Sequence, residues 1–336
     1  MRFGPVPLDQ AEGTVLAHSV KLPSGRLRKG AVLDTKQIAS LRAAGIATVI
    51  VAELSPDDVD ENSAALELAN ALAPDPAALN LRLSEAFTGR VNVYATVPGI
   101  VEIDAEAVHA ANRVDPMITL ATVSPLQRTK PNGMVATVKI IAYGVEKRAL
   151  AQAAKGLEGA IRVRPAVYKN ASLILTELNN APEKEDSKGQ RAIAARLTAL
   201  GIDLCETRIC KHDTNSIATA IAEAAGDVIL LLTASATSDN ADVAPEGLRR
   251  AGGHVTRFGM PVDPGNLLFL GAFGNQPVIG LPGCARAPAL NGADWVLERI
   301  CCGLDVSDDD IARMGVGGLL KEIPTRPQPR DPKQSR

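Results

Sequence analysis

Residues 259–288, GMPVDPGNLLFLGAFGNQPVIGLPGCARAP, carry the pattern that decides the fold of this chain. The apolar run 267–273 predicts a buried strand, residues 274–277 supply a turn, and 278–281 resume the apolar run, which together indicate a hairpin. Pro282 and Gly283 end the second strand, and we expect a long amphipathic helix to begin within a few residues. A strand, a glycine turn and a helix start in this order present backbone N–H groups to an anion.

Strands and helices alternate regularly upstream of this stretch, from about residue 166. Apolar runs predict strands at 172–178, 202–210, 228–233 and 254–258, and helical periodicity predicts helices at 189–200, 214–225 and 245–251. This alternation is typical of right-handed β-α-β units on a mostly parallel sheet, here with one antiparallel hairpin near its edge. The expected fold class is therefore α/β, with a three-layer, mostly parallel C-terminal domain and a mixed α+β N-terminal region.

The sequence suggests four segments: a small entry domain 1–55, a middle α+β region 56–165, an α/β domain 166–322 and a proline-rich tail 323–336. The tail cannot pack a core, so it is either a frayed end or a linker to a further domain. In the middle region, Lys139 interrupts an apolar run. It is predicted to be either an edge-strand residue with its ammonium in water or a cation aimed at a bound anion.

The amino-acid composition of the chain argues against several classes of protein. A net charge of -2 and only 5 Phe, 3 Tyr and 1 Trp in 336 residues argue against nucleic-acid binding. The N-terminus has no basic region followed by an apolar core, and no apolar run approaches the roughly 20 residues that span a bilayer, so we expect a cytoplasmic protein. Five cysteines without a C-x-x-C pair indicate reduced thiols.

Ligands of parallel sheets bind beyond the carboxyl ends of the strands, where the polar loops 179–188, 234–242 and 282–286 are expected. Residues 233–242, TASATSDNAD, offer four hydroxyls and two carboxylates after an apolar strand. Such a loop can hold phosphate or pterin edges, with a carboxylate on Mg²⁺ or on a ligand hydroxyl. Alternatively, it is a solvated loop whose Ser and Asp side chains cap the next helix.

Three further features, which involve four residues, can each be interpreted in two ways. His212 with Asp213 could form a metal or general-base site, or an N-cap aspartate beside an exposed histidine. Cys284 at a helix start would have a stabilised thiolate, or would be an unreactive packing residue. Arg286 could bind phosphate through two parallel hydrogen bonds, or be an ordinary surface arginine.

Several of these segments together resemble the molybdopterin-binding domain shared by molybdenum-cofactor biosynthesis proteins. Residues 228–243, VILLLTASATSDNADV, resemble its strand, small-residue loop and Asp; the P-G and G-L-P-G turns within 259–288 resemble its paired turns. TELNNAPEKEDSKG (176–189) resembles the loop that ends near an Asp-Ser pair. Residues 12–20 and 27–51 resemble the entry domain of larger molybdotransferase members. The whole chain resembles the N-terminal half of bacterial proteins in which a molybdopterin-binding region precedes a nucleotidyltransferase domain.

The resemblance implies a site for molybdopterin or its nucleotide form, with Mg²⁺ as an additional ligand whose protein partners are unknown. Asp242 falls on the family's Asp and is the residue expected to act in catalysis, if the chain is catalytic. Phosphate is expected at residues 282–286, and the pterin or metal side at the loop 233–242. The implied cofactor-binding residues are Ser235, Ser238, Asp186, Ser187, Pro264, Gly265, Gly280, Pro282, Gly283, Cys284 and Arg286.

The chain departs from the family pattern where positive charge and glycine are usual. Asp263 and Asn266 replace two lysines around the P-G turn, and residues 234–236, ASA, replace glycines. Fewer cations beside an anionic ligand favour binding over catalysis. We therefore expect a protein that binds molybdopterin in cofactor biosynthesis and delivers it, or holds it for nucleotide attachment or enzyme insertion.

Two alternatives stay open. One is an active molybdotransferase or nucleotidyltransferase that uses Mg²⁺ and nucleotide. The other is a non-catalytic scaffold for a cytidylyltransferase domain or a molybdoenzyme. In each case the sequence is compatible with a monomer or a homo-oligomer.

Overall fold

The computed structural model of the chain describes residues 1–23, 25–178 and 183–320, without the side chains of 183–187. The chain forms two compact units, Met1–Arg164 and Pro165–Arg336. The predicted tail lies outside the described residues, and the division of the first unit into an entry domain and a middle region stays a prediction. Within the described ranges, no helix is long and apolar enough to cross a membrane.

The first unit consists of small antiparallel sheets and short helices, as the expected α+β character requires. Its sheets have the strand orders β1-β5-β2, β3-β4, β13-β6, β10-β12-β8-β7 and β11-β9-β14. The bounds are β1 Arg2–Pro7, β2 Val15–Leu16, β3 Val20–Leu22, β4 Gly25–Leu27, α1 Thr35–Ala43, β5 Thr48–Glu53, β6 Asp58–Asp60, α2 Glu61–Leu72, β7 Leu81–Leu83, β8 Arg90–Ala95, β9 Gly99–Ile103, α3 Ala105–Asn112, β10 Ile118–Thr122, β11 Arg128–Thr129, β12 Met134–Ile140, β13 Gly144–Glu146, α4 Lys147–Ala154 and β14 Ile161–Arg164.

Lys139 lies on β12, which is between β10 and β8, so the edge-strand prediction was wrong. Its ammonium donates a hydrogen bond to the carbonyl oxygen of Thr88 and lies 4.0 Å from the carboxylate of Glu61. Burial raises the pKa of Glu61, while the charge of Lys139 opposes that shift. The lysine therefore has partners within the first unit.

The second unit is an α/β domain with the predicted mostly parallel sheet. The sheet has the order β16-β15-β17-β20-β19-β18, in which only β19 runs against its neighbours. Its elements are β15 Asn170–Glu177, α5 Glu183–Thr198, β16 Asp203–Lys211, α6 Thr214–Ala222, β17 Val228–Leu232, α7 Val243–Arg250, β18 His254–Phe258, β19 Phe269–Phe273, β20 Gln276–Leu281, α8 Gly292–Cys301 and α9 Asp308–Arg313. The hairpin predicted near residue 274 is the pair β19–β20.

Helices cover both faces of this sheet and give the expected three layers. Ile174, Ile229 and Leu231 point to one face and pack with residues of α6 and α7. The alternate residues point to the other face, where Leu232 lies against Gly189 of α5. Both sheet faces are therefore buried, which explains the nearly continuous apolar runs of β15 and β17.

Two predicted boundaries were wrong. Helix α5 begins at Glu183, so the polar loop predicted over 179–188 is shorter, and residues 179–182 lie outside the description. After β20 the chain forms only a 3-10 turn, Gly283–Arg286, and α8 begins at Gly292. Asn291 and Asp294 form a capping box there, because the Asn291 side chain accepts from Ala293 N and Asp294 accepts from Asn291 N.

Gly280 permits a close contact between the two strands of the hairpin. It pairs directly with Phe269, and a Cβ at position 280 would lie 1.9 Å from Cε1 of that ring. Phe269 is 1% exposed and packs into the core between the sheet and helices α6 and α7. The ring therefore takes the space that any side chain at 280 would need.

Replacing Gly280 with Ala should lower the free energy of unfolding of the second unit by about 1–3 kcal/mol, because the core must shift to admit the methyl group. Urea unfolding followed through Trp295, the single tryptophan of the chain, reports on this unit. The matched control is Gly283→Ala, where a Cβ would meet nothing within 4 Å. Equal stabilities of the two variants would contradict the packing argument.

A buried arginine of α5 forms an ion pair with the first turn of α8 and hydrogen bonds with the segment that precedes it. Nε of Arg196, a residue only 7% exposed, donates to Oδ1 of Asp294. The two Nη atoms donate to the backbone carbonyls of Ala285, Ala287 and Ala289 at 2.9, 2.8 and 3.1 Å. One guanidinium thus fixes the chain that follows the 3-10 turn.

Arg196→Met should cost about 3–5 kcal/mol of stability, because it leaves a buried carboxylate and three carbonyls without their donor. The matched control is Arg313→Met, which removes an exposed ion pair with Asp309 and should change stability by less than about 0.5 kcal/mol. Both values come from urea unfolding. A cost at Arg196 no larger than that at Arg313 would show that the buried pair is not a major source of stability.

Candidate functional site

The carboxyl ends of three neighbouring strands, β15, β17 and β20, lie side by side at one edge of the sheet. These strands lead into the segments that the sequence predicted as polar, ligand-binding loops: residues 179–188, of which 183–188 form the start of α5, residues 234–242, and residues 282–286. These segments come from distant parts of the sequence but share this edge because the three strands are parallel. The edge is the candidate site.

Thr176, near the end of β15, connects three strand ends. Its Oγ1 accepts a hydrogen bond from the backbone N–H of Ala234 at 2.8 Å, just beyond β17. The same oxygen lies 2.9 Å from Nδ1 of His212, just beyond β16. Thr176 is 1% exposed. Sequence reasoning missed this residue, although a hydroxyl that ends the apolar run of β15 was a usable signal.

Asp213 and His212 have separate roles. Asp213 caps α6 by accepting from the N–H groups of Asn215 and Ser216, and these hydrogen bonds, that to Ser216 first, lower its pKa. The capping interpretation of Asp213 is therefore correct. His212 is half-buried against Thr176 rather than freely exposed, which places its imidazole at the candidate site.

The loop 233–242 contains both exposed hydroxyls and a helix cap. Ser235 and Ser238 are exposed, and Thr233 Oγ1 donates to the carbonyl of Ser235. The carboxylate of Asp242 accepts from Ser238 N at 2.8 Å and from Val243 N at 2.7 Å, and so caps α7. Asp242 is thus explained by local structure. The hydroxyl of Ser238 donates to the carbonyl of Ala236 at 3.3 Å, and the side chains of both Ser235 and Ser238 lie at the surface of the loop.

Arg286 links the 3-10 turn to the neighbouring loop. Its Nη2 donates to the backbone carbonyl of Thr233 at 2.9 Å. Gly189 of α5 lies against it, since a Cβ at 189 would be 3.2 Å from Nη1 of Arg286 and 3.0 Å from Leu232. Arg286 is half-buried. The predicted phosphate-binding arginine therefore also holds α5, β17 and the turn together.

Cys284 is not at the start of an α-helix, and its thiol differs from the expected one. The residue is exposed, but burial of the sulfur itself raises the pKa of the thiol, and the nearby charge of Asp263 raises it further. The predicted stabilisation of a thiolate was wrong, because α8 begins only at Gly292. At neutral pH the group is a neutral thiol beside the turn.

The first P-G turn packs beneath the start of α8. The carbonyl of Pro264 accepts from Gly292 N at 2.8 Å, and a Cβ on Gly265 would lie 2.7 Å from that nitrogen. Gly265 is buried with φ of 142°, a conformation that favours glycine. Both residues are therefore fixed by contact with α8.

The remaining predicted residues fall into two groups. Pro282 is buried, and Gly283 is exposed with open space where a side chain would be. Asp186 and Ser187 belong to α5, but their side chains lie outside the described residues. Among the described side chains, no group of three or more His, Cys, Asp or Glu could hold a metal ion.

Residues 173–300 match the family model described as "probable molybdopterin binding domain". That range contains all three segments of the candidate site. Residues 5–53 match the model of a domain of unknown function, DUF8806. No curated protein sequence matches the chain.

Several solved structures are similar to this chain at low identity. The molybdopterin biosynthesis MoeA protein from Pyrococcus horikosii is 14% identical, covering 84% of this chain and 70% of that one, with a TM-score of 0.27. Molybdenum cofactor biosynthesis protein B is 15% identical, covering 40% and 93%, with a TM-score of 0.29. The CinA protein from Thermoplasma acidophilum is 18% identical, covering 35% and 90%, with a TM-score of 0.26.

The sequence motifs and the family match thus agree on the same region. The strand-loop-Asp segment 228–243 and the paired turns of 259–288 both lie inside the matched range. The second unit of this chain contains a domain of the molybdopterin-binding family.

Proposed function

We propose that the chain binds molybdopterin, or its nucleotide form, at the carboxyl edge of the second unit's sheet, as a step in molybdenum-cofactor biosynthesis. The observation that carries this proposal is the junction of three segments at that edge. Thr176 bonds to Ala234, and Arg286 bonds to Thr233. The family match over residues 173–300 supports the identity of the ligand.

The exposed groups at this edge suit a ligand with a phosphate and a polar ring system. Ser235 and Ser238 offer hydroxyls that can donate to, or accept from, pterin nitrogen and oxygen atoms. Gly283 leaves open space, so a phosphate can approach the backbone closely. We therefore assign the phosphate to residues 282–286, beside Arg286, and the pterin to the loop 233–242.

Other predicted residues support the site indirectly. Pro264 and Gly265 hold the start of α8, and Gly280 holds the ring of Phe269. Their contacts are internal, so they fix the geometry of the edge and need not touch the ligand. Asp186 and Ser187 stay predictions, as does any Mg²⁺ ion.

The charges at the carboxyl edge of the sheet favour a role in holding the cofactor over a role in catalysis. Both carboxylate oxygens of Asp242 accept backbone N–H groups, so helix capping accounts for this residue. Asp263 is exposed, and its negative charge acts on the Cys284 thiol next to the proposed phosphate position. Transfer reactions need added positive charge where a phosphoryl group reacts. The proposed role is to hold the cofactor for a cytidylyltransferase or a molybdoenzyme.

Ser235→Glu should weaken binding of molybdopterin by at least about tenfold, since it places a carboxylate beside an anionic ligand. Isothermal titration of the purified full chain measures this. The matched control is Thr219→Glu, an exposed hydroxyl on α6 away from the strand ends, which should leave affinity unchanged. No heat from the unmodified chain, or equal weakening by both variants, would refute the proposed site.

Asp242→Asn separates holding from catalysis, because asparagine removes the carboxylate charge and keeps one of the two oxygens that accept backbone N–H groups. If the chain only holds the cofactor, this variant should bind within about twofold of the unmodified chain. In that case the unmodified chain should not convert molybdopterin in the presence of Mg²⁺ and nucleotide. Conversion that disappears in Asp242→Asn would instead establish the transferase alternative.

A further inference from the structure

We propose that the outer edge of β16 docks a second copy of this chain, antiparallel to the first, with a two-fold axis at Thr207. This inference is independent of the proposed ligand. It rests on the position of β16 in the sheet, the direction of its backbone groups, and the order of its charged and apolar residues.

Strand β16 is the outermost strand on its side of the sheet. It pairs with β15, and no other strand of the described residues pairs with it. At nine residues it is long for an edge strand. A long unpaired edge is a template for another strand unless charges or bulges protect it.

Half of the β16 backbone groups face away from β15. The N–H of His212 donates to the carbonyl of Glu177 at 3.0 Å, so the even-numbered residues of this stretch face β15. Alternation along the strand then directs the N–H and C=O groups of Thr207, Ile209 and Lys211 outward. If Thr207 lies on the two-fold axis, the two copies of Thr207 can exchange both of their backbone hydrogen bonds.

The sequence of β16, DLCETRICK, is complementary to itself in this register. Around Thr207, Glu206 of one copy faces Arg208 of the other. A register centred one residue later would place Arg208 against Arg208. The pairing of β15 with β16 is irregular between Ala171 and Ser172. The proposed axis at Thr207 lies beyond this irregularity, in the regular part of the strand.

The charged pair already exists within each copy. Nε of Arg208 donates to Oε2 of Glu206 at 2.8 Å, and these side chains are 31% and 22% exposed. A hydrogen bond from Ser172 lowers the pKa of Glu206, so its carboxylate is charged at neutral pH. Arg208 also donates to the carboxylate of Glu223 at 2.9 Å, so in the dimer the two copies combine into a network of six charges around the axis.

An apolar side chain on the outer edge of β16 is also exposed to solvent. Ile209 is 59% exposed and lies in the regular part of the strand, whereas Cys205 lies at the irregularity and donates its thiol to the carbonyl of Ala171. In the proposed register the partner strand lies alongside Ile209. Pairing would therefore cover this apolar side chain in both copies, and the interface is isologous as a two-fold axis requires.

Sedimentation of the full chain over a range of concentrations tests the association. We expect a dimer whose dissociation constant rises by at least about tenfold in Ile209→Lys, since the variant places a charge where the partner strand covers an apolar side chain. The control is Val316→Lys, which changes a residue 96% exposed elsewhere in this unit and should not alter association. A chain that stays monomeric at every concentration overturns the proposal.

Cross-linking tests the register. In a Cys205→Ser/Cys284→Ser background, Thr207→Cys should form a disulfide-linked dimer on mild oxidation, because the paired Cα atoms would lie about 5.5 Å apart. Lys211→Cys in the same background is the control, since its two copies would be about 27 Å apart. A dimer that resists Ile209→Lys, or that cross-links equally through both cysteines, overturns this edge as the interface.

Discussion

The hydroxyl of Thr176 is the interaction on which the candidate site depends. It lies at the end of a buried strand, where a polar group must find partners, and it accepts the N–H of Ala234 while contacting His212. These partners belong to the segments that follow the two strands adjacent to β15. One buried oxygen therefore fixes the distance between loops that are far apart in the sequence.

Two arginines also hold backbone segments in place at the carboxyl edge of the sheet. Arg196 bonds to the carbonyls of Ala285, Ala287 and Ala289, and Arg286 bonds to the carbonyl of Thr233. Backbone carbonyls that would otherwise need water are thereby used to position the segment after β20. The exposed hydroxyls of Ser235 and Ser238 stand on a loop that is held at both of its ends, by Thr176 and by the capping of Asp242. Internal support of this kind keeps a candidate site in one conformation, which is what pre-organisation requires.

Local sequence patterns were enough to predict most of the second unit. Apolar runs buried on both faces indicate parallel strands, and the turn at Gly274 indicated the hairpin, because both signals lie within a few residues. The start of α8 was predicted too early, since the capping box at Asn291 determines where that helix begins. The roles of Thr176 and Arg196 could not be predicted, because they depend on which strands and segments become neighbours. Capping of α7, by contrast, was one of the two interpretations of the loop 233–242, and the contacts of Asp242 with the backbone N–H groups of Ser238 and Val243 confirm the cap.

The most direct test of the central claim is hydrogen–deuterium exchange of the full chain with and without molybdopterin. Binding at the carboxyl edge predicts slower exchange in residues 233–242 and 282–286, with no change in α9, which lies outside the proposed site. Saturating molybdopterin that leaves exchange in both segments unchanged would contradict the account.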